Sequence, residues 1–96
     1  MKNKDKFTKW LEEQTDLAQS SILKYTGAIN TISKELIESN IISLNLYHIN
    51  SANEVELIRE RYFSISEFIE KDKRGNRMYS RALSYYIEFT RIQEKY

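Results

Sequence analysis

The chain contains no cysteine, no proline, two glycines and a single histidine among its 96 residues. The lack of cysteine excludes disulfides, a thiol nucleophile and thiolate metal ligands. A single histidine, His48, argues against a histidine-based zinc site or a catalytic triad. No apolar run reaches the roughly 18 residues of a membrane span, and the basic start lacks the apolar stretch of a secretory signal. We therefore expect a cytoplasmic, non-enzymatic protein that has no cofactor and no membrane contact.

Basic and acidic residues nearly cancel, with 15 Lys and Arg against 14 Asp and Glu and a formal net charge of +1. This balance excludes a strongly basic nucleic-acid coat and an acidic disordered tail. The charge is nevertheless polarised along the chain. Residues 1–10 carry a net charge of +3 and residues 71–81 carry +4, whereas residues 35–70 carry −5. A near-neutral total can therefore hide a basic face and an acidic face.

The scarcity of turn residues predicts long helices, because an all-β domain needs turn residues at short, regular intervals. Apolar residues recur at steps of three and four through most of the chain, which is the period of an amphipathic helix. We predict one all-α domain over residues 1–96, a compact bundle of four to five helices, with residues 1–4 disordered. The predicted helices cover about residues 5–13, 18–39, 52–62, a short stretch after 64, and 77–94, separated by a connector over 40–50 and a loop over 71–77.

Local signals set the predicted helix ends. Three Ser/Asp-x-x-Glu/Gln patterns predict capping boxes, and they begin at Asp16, Ser51 and Ser64. Gly27 lies inside the second helix, where it predicts the close approach of another helix. Gly75 predicts a left-handed or turn conformation before the last helix, and Asn76 predicts the cap of that helix.

The region 71–81 predicts an anion-binding corner. Arg77 and Arg81 are four residues apart and share a helix face, at a helix N-terminus where the dipole disfavours cations and favours a bound anion. Further positive charge comes from the preceding loop, at Lys71, Lys73 and Arg74. The alternative is a solvated loop whose charges pair with neighbouring acids such as Glu70 and Asp72.

Several stretches of the sequence resemble known DNA-binding domains. The patterns in Phe7–Leu11 and Leu17–Tyr25 are similar to the opening of the helical, SAM-like core-binding domain of tyrosine recombinases and phage integrases. The patterns in Asn45–Ile49 and Gly75–Phe89 resemble the related N-terminal helical domain of bacterial restriction proteins, including HNH nucleases and Mcr-type systems. Together these stretches span most of the chain, and they consist mainly of core and capping positions.

The resemblance implies a non-catalytic DNA-binding accessory domain of a restriction, recombination or phage-defence system, whose partner is double-stranded DNA. It implies that the start of the second helix faces DNA through Ser20, Ser21 and Lys24. It implies the same for the start of the last helix, through Asn76, Arg77, Ser80 and Arg81. The sequence departs from the recombinase pattern at Ala18, where a capping serine is expected, and it contains no catalytic domain. The chain is therefore either one domain of a larger nuclease or recombinase or a stand-alone relative.

Two other functions stay open at this point. The chain could be a protein-interaction module, such as a phage-encoded inhibitor of a host nuclease. In that case either the basic face meets an acidic partner or the acidic 35–70 face occupies a DNA-binding channel. It could also be a structural dimer built on surplus aromatic residues such as Tyr85.

Overall fold

The apolar periodicity of the sequence appears as helices in the computed structural model, which describes residues 2–95. Within that range the chain forms five α-helices and one short 3-10 helix, without strands. The α-helices are α1 (Lys2–Gln14), α2 (Gln19–Glu38), α3 (Ala52–Tyr62), α4 (Ser66–Arg74) and α5 (Met78–Glu94), and the 3-10 helix is Leu46–His48. The predicted all-α bundle is confirmed. Among these residues no helix is both long enough and apolar enough to cross a membrane.

The helix bounds correct several predictions. Helix α1 begins at Lys2, so residues 2–4 are helical rather than disordered, and Met1 lies outside the described residues. Helix α4 extends to Arg74, so the loop predicted from residue 71 is helical over its first half. The charged residues of that stretch look like a loop in sequence, but they belong to a helix in which Phe68 and Asp72 are buried and Lys73 and Arg74 are exposed.

One core joins all the helices, and α5 lies at its centre. Helix α5 contacts each of the other four α-helices and makes its most extensive contact with α2. Both helices contribute buried side chains to the core, among them Ile29, Ile32, Leu83 and Tyr86. The wide apolar arc predicted for the last helix is therefore a surface packed on several sides.

The 40–50 connector is anchored to the core by buried hydrogen bonds. Tyr47 donates its hydroxyl to the Thr26 carbonyl (2.7 Å), and Tyr86 donates its hydroxyl to the Leu46 carbonyl (2.9 Å). The Leu46 amide in turn donates to the Ser33 hydroxyl (2.9 Å). Buried polar groups are thus paired, which allows a non-helical segment to cross the bundle.

Capping predictions fare unevenly. Ser51 caps α3 by accepting a hydrogen bond from the Glu54 amide (3.3 Å), and α3 begins and ends where the sequence predicts. Helix α2 instead has Ala18 at its N-cap and α4 has Ile65, and neither makes a side-chain capping bond. The capping boxes predicted at Asp16 and Ser64 are therefore wrong. Gly27 is also not a close-approach site, because a Cβ added there would meet no atom within 4 Å.

Candidate nucleic-acid interface

The junction between α4 and α5 consists of two consecutive left-handed residues, Asn76 (φ 56°) and Arg77 (φ 62°). Helix α4 ends in a Schellman motif, in which the amides of Asn76 and Arg77 donate to the carbonyls of Lys73 (3.3 Å) and Asp72 (2.7 Å). Gly75 lies in the predicted turn, but its φ of −92° is not left-handed. Arg77 rather than Asn76 is the N-cap residue of α5, and it makes no side-chain capping bond.

Asp72 is the acid that satisfies the start of α5. Its side chain is almost fully buried, at 4% exposure, and its carboxylate accepts a hydrogen bond from the Ser80 amide (3.0 Å). A carboxylate at a helix N-terminus is stabilised by the dipole and by unpaired amides. The dipole end that the sequence assigns to a bound phosphate is therefore occupied by the chain's own Asp72, and an external anion must rely on side chains.

A shallow depression of about 180 Å³ joins the two segments predicted to face DNA. Ser21 and Lys24 line it from the start of α2, and Asn76 and Arg81 line it from the α4–α5 junction. Lys24, Asn76 and Arg81 are exposed and Ser21 is partly exposed. The two segments are far apart in sequence, and the fold places them side by side.

An aromatic contact fixes this arrangement. The rings of Tyr25 and Tyr85 lie 5.4 Å apart between centroids, in a tilted pair. Tyr25 follows Lys24 directly, and Tyr85 lies one turn beyond Arg81 on α5, so the contact holds the starts of α2 and α5 together. Pairs of this geometry stabilise beyond their buried area.

A second depression, of about 300 Å³, adjoins the first and is lined entirely by polar side chains. Its lining residues are Lys73, Asn76, Arg77 and Arg81. We call the combined surface the basic corner, and its members are Ser21, Lys24, Lys73, Asn76, Arg77 and Arg81.

The cations of the basic corner are nearly free of internal carboxylates. Among residues 2–95, Lys24, Arg77 and Arg81 have no acidic oxygen within 4.0 Å. Lys73 makes one pair with Glu70 at 3.9 Å, and both side chains are more than half exposed. Such surface pairs contribute little and break readily. The alternative interpretation, in which neighbouring acids neutralise the loop, thus applies weakly to Lys73 and does not apply to the two arginines.

Two predicted site residues lie elsewhere. Lys71 donates to Glu35 at 2.7 Å, and its ammonium lies 4.8 Å from the centre of the Tyr79 ring. Partial burial lowers the pKa of Lys71, but the hydrogen bond and charge of Glu35 outweigh it, and the pKa of Lys71 is raised. Arg74 lines a separate depression with Lys71 and three glutamates, Glu35, Glu38 and Glu67. The structure therefore does not bring Lys71 and Arg74 together with the basic corner.

Ser20 and Ser80 flank the basic corner without lining its depressions. Ser20 is exposed in the first turn of α2. The Ser80 hydroxyl donates to the Arg77 carbonyl (3.0 Å), so it is used within the first turn of α5. The roles of Asp72 and of the Tyr25–Tyr85 pair could not be predicted from the sequence, because both depend on contacts between helices that no local motif indicates.

Comparison of the chain with protein-family models, with curated proteins and with solved structures finds no match in any of the three. The class that the fold defines is an all-α helical bundle. The recombinase-like and restriction-like resemblance remains a prediction from the motifs. Among residues 2–95 no three metal-ligating side chains come together as a metal site.

Proposed function

We propose that the protein is a non-catalytic DNA-binding module that contacts the phosphate backbone of double-stranded DNA through the basic corner. The main support is that Arg77 and Arg81 are exposed at the start of α5, beside Lys24 at the start of α2. None of these three cations has a carboxylate within 4.0 Å in the described chain. Unpaired guanidinium groups are the preferred protein partners of phosphate, because their donors match its oxygens. The motif resemblance implies that such a module serves a restriction, recombination or phage-defence system.

The capping carboxylate of Asp72 decides what kind of contact the basic corner makes. Because Asp72 already accepts from the α5 amide of Ser80, the helix end offers its flanking side chains rather than a free row of amides. Side-chain contacts to phosphates position a duplex but carry no sequence information. We therefore expect binding with little sequence preference.

The distribution of acidic residues orients the duplex. Helix α3 begins beside the C-terminal end of α5, because the Ala52 amide bonds to the Glu94 carboxylate and Glu56 pairs with Arg91 (2.6 Å). Helix α5 is 17 residues long, so this acidic end lies about 25 Å from Arg77 at about 1.5 Å per residue. Glu54 and Glu60 of α3 have no ion-pair partner within 4.0 Å in the described chain, so they repel phosphates and leave the basic corner as the favourable approach.

The expected affinity is weak and depends on salt. The four cations of the basic corner neutralise about three or four phosphates, so log K against log salt concentration slopes near −3 to −4. A module of formal net charge +1 binds in the roughly micromolar range or more weakly at physiological salt.

The test is binding of a short duplex at low salt by the double variant Arg77→Glu/Arg81→Glu. Both positions are exposed, so we expect an unchanged helical circular dichroism spectrum and complete loss of retardation. The matched control is Lys34→Glu/Lys95→Glu, which changes the net charge equally at two exposed lysines away from the basic corner. The control variant is expected to lose only the small part of the DNA affinity that comes from long-range electrostatic attraction. Equal binding by the Arg77/Arg81 variant and the wild type would refute the assignment.

A further inference from the structure

An apolar groove lies between the 40–50 connector and α3, and no part of residues 2–95 covers it. It measures about 560 Å³, and its apolar lining is Ile41, Ile42, Leu44, Ile49, Leu57 and Ile58. Leu44 is 55% exposed and Leu57 is 61% exposed, one on each wall. Pockets of this volume and lining are typical of binding sites.

Both walls of the groove are held in place without a ligand. Asn40 is left-handed (φ 59°) and closes α2 with a Schellman motif, in which the Ile41 amide donates to the Leu36 carbonyl (2.9 Å). At the other end of the connector, Asn45 accepts from the Tyr47 amide (2.9 Å) and caps the 3-10 helix. The segment that carries Leu44 is thus fixed at both ends, and α3 provides the second wall. A groove that is already formed binds without the cost of ordering its walls.

The groove is remote from the basic corner. It begins just beyond the C-terminal end of α2, whereas Lys24 lies in the second turn of that helix. About 21 Å of helix separates Lys24 from Glu38 at about 1.5 Å per residue. The two surfaces can therefore be occupied at the same time.

Charge on the rim selects the occupant. Glu54 and Glu60 line the groove from α3, and neither has an ion-pair partner within 4.0 Å in the described chain. Arg61 is the one cation in the lining, so the two carboxylates leave the rim with a net negative charge. An acidic rim disfavours DNA and anionic lipid surfaces, and it would face itself in a symmetric pair of copies. It favours a cationic partner.

We propose that the groove docks a basic amphipathic helix of a partner protein, with apolar anchors at i, i+3, i+4 and i+7 and lysine or arginine on the flanks. Helix-in-groove recognition buries such anchors in an apolar floor, here the isoleucine and leucine side chains. The flanking cations meet Glu54 and Glu60. A partner carrying this helix would be tethered to the DNA that the basic corner holds.

The probe for the test is a synthetic helical peptide with leucine at i, i+3, i+4 and i+7 and lysine elsewhere, compared with the same pattern carrying glutamate. Fluorescence anisotropy of the labelled peptides measures binding to the whole chain. We expect the lysine peptide to bind at least about tenfold more tightly than the glutamate peptide. Leu44→Ser and Leu57→Ser are each expected to weaken it about tenfold, which is the effect of losing one buried leucine contact.

Leu23→Ser is the matched control, because Leu23 is as exposed, at 63%, but lies in α2 outside the groove. It is expected to leave peptide binding unchanged, and all three serine variants are expected to keep the circular dichroism spectrum and the DNA affinity of the wild type. Glu54→Gln/Glu60→Gln is expected to weaken binding of the lysine peptide and to reduce the salt dependence of that binding. The proposal is overturned if the two peptides bind equally, if Leu44→Ser and Leu57→Ser bind like Leu23→Ser, or if light scattering shows a dimer that Leu57→Ser dissociates.

Discussion

Removal of the Asp72 charge should lower the stability of the fold and raise its affinity for DNA, because the same carboxylate stabilises α5 and opposes a bound phosphate. Its substitution by asparagine keeps an oxygen that can accept from the Ser80 amide (3.0 Å) but removes the charge. A charge-assisted hydrogen bond contributes about 1.5–3 kcal/mol and a neutral one about 0.5–1.5 kcal/mol. We therefore expect Asp72→Asn to lower the free energy of unfolding by about 1 kcal/mol. Asp72→Ala also leaves the amide unpaired and is expected to lower it by about 2–3 kcal/mol.

DNA affinity is expected to rise in the same Asp72→Asn variant. Two unit charges about 6 Å apart interact with roughly 0.7 kcal/mol at the dielectric constant of water and more strongly where one is buried, so removal of the carboxylate strengthens phosphate binding at least about threefold at low salt. Glu88→Gln, at an exposed position of α5, makes the same change in net charge away from the basic corner and is the control. Urea denaturation measures the stability, and anisotropy of a labelled duplex measures the affinity. A variant that keeps full stability, or one that binds DNA more weakly than Glu88→Gln, would refute the role assigned to Asp72.

Three further predictions follow from the fold and the site. Gly27→Ala is expected to raise the free energy of unfolding by about 1 kcal/mol in urea denaturation, because alanine favours the helix and its Cβ meets nothing within 4 Å. A loss of stability would contradict this prediction, because it would mean that the added Cβ clashes with a neighbouring group. Glu35→Gln/Lys71→Gln removes the ion pair without changing net charge, and duplex retardation is expected to stay as in the wild type. A several-fold loss of DNA affinity would show that Lys71 contributes to the DNA interface. Burial is the main cause that raises the pKa of three core tyrosines, Tyr47, Tyr62 and Tyr86. Their protonated form is favoured in the fold, so stability is full below pH about 10, the unfolded pKa, and falls above it by about 1.4 kcal/mol per pH unit for each tyrosine. The ionisation of these three tyrosines, followed within the tyrosinate absorbance of all seven, should then coincide with the alkaline loss of the circular dichroism spectrum. Tyrosinate absorbance that reached its full value while the fold persisted would contradict the shifts.

The parts of the fold that local chemistry determines could be predicted from sequence. Ser51 and the apolar period behind it fix α3 at the predicted bounds, because an N-cap bond forms within one turn. The α4–α5 junction could not be predicted in this way. Lys71, Lys73 and Arg74 suggest a loop by composition, yet the burial of Phe68 and Asp72 makes the segment a helix.

The candidate site could be predicted in part for the same reason. The spacing of Arg77 and Arg81 is local, and it places both on the exposed start of α5. The ion pair of Lys71 joins it to Glu35, 36 residues earlier in the chain, and no pattern within either segment signals that contact. The first left-handed residue of the junction is Asn76 rather than Gly75, because the Schellman motif needs a left-handed residue one position after the C-cap. Tertiary packing therefore decides which of the predicted cations remain available.

Binding of DNA at the basic corner is tested most directly by an NMR titration of the isotope-labelled protein with a short duplex at low salt. We expect the amide shifts to cluster at the basic corner, at Lys24, Asn76, Arg77 and Arg81, while the amides of α3 stay in place. The shifts should reverse when salt is raised. An absence of shifts at the basic corner, or shifts centred on α3, would refute binding at the basic corner.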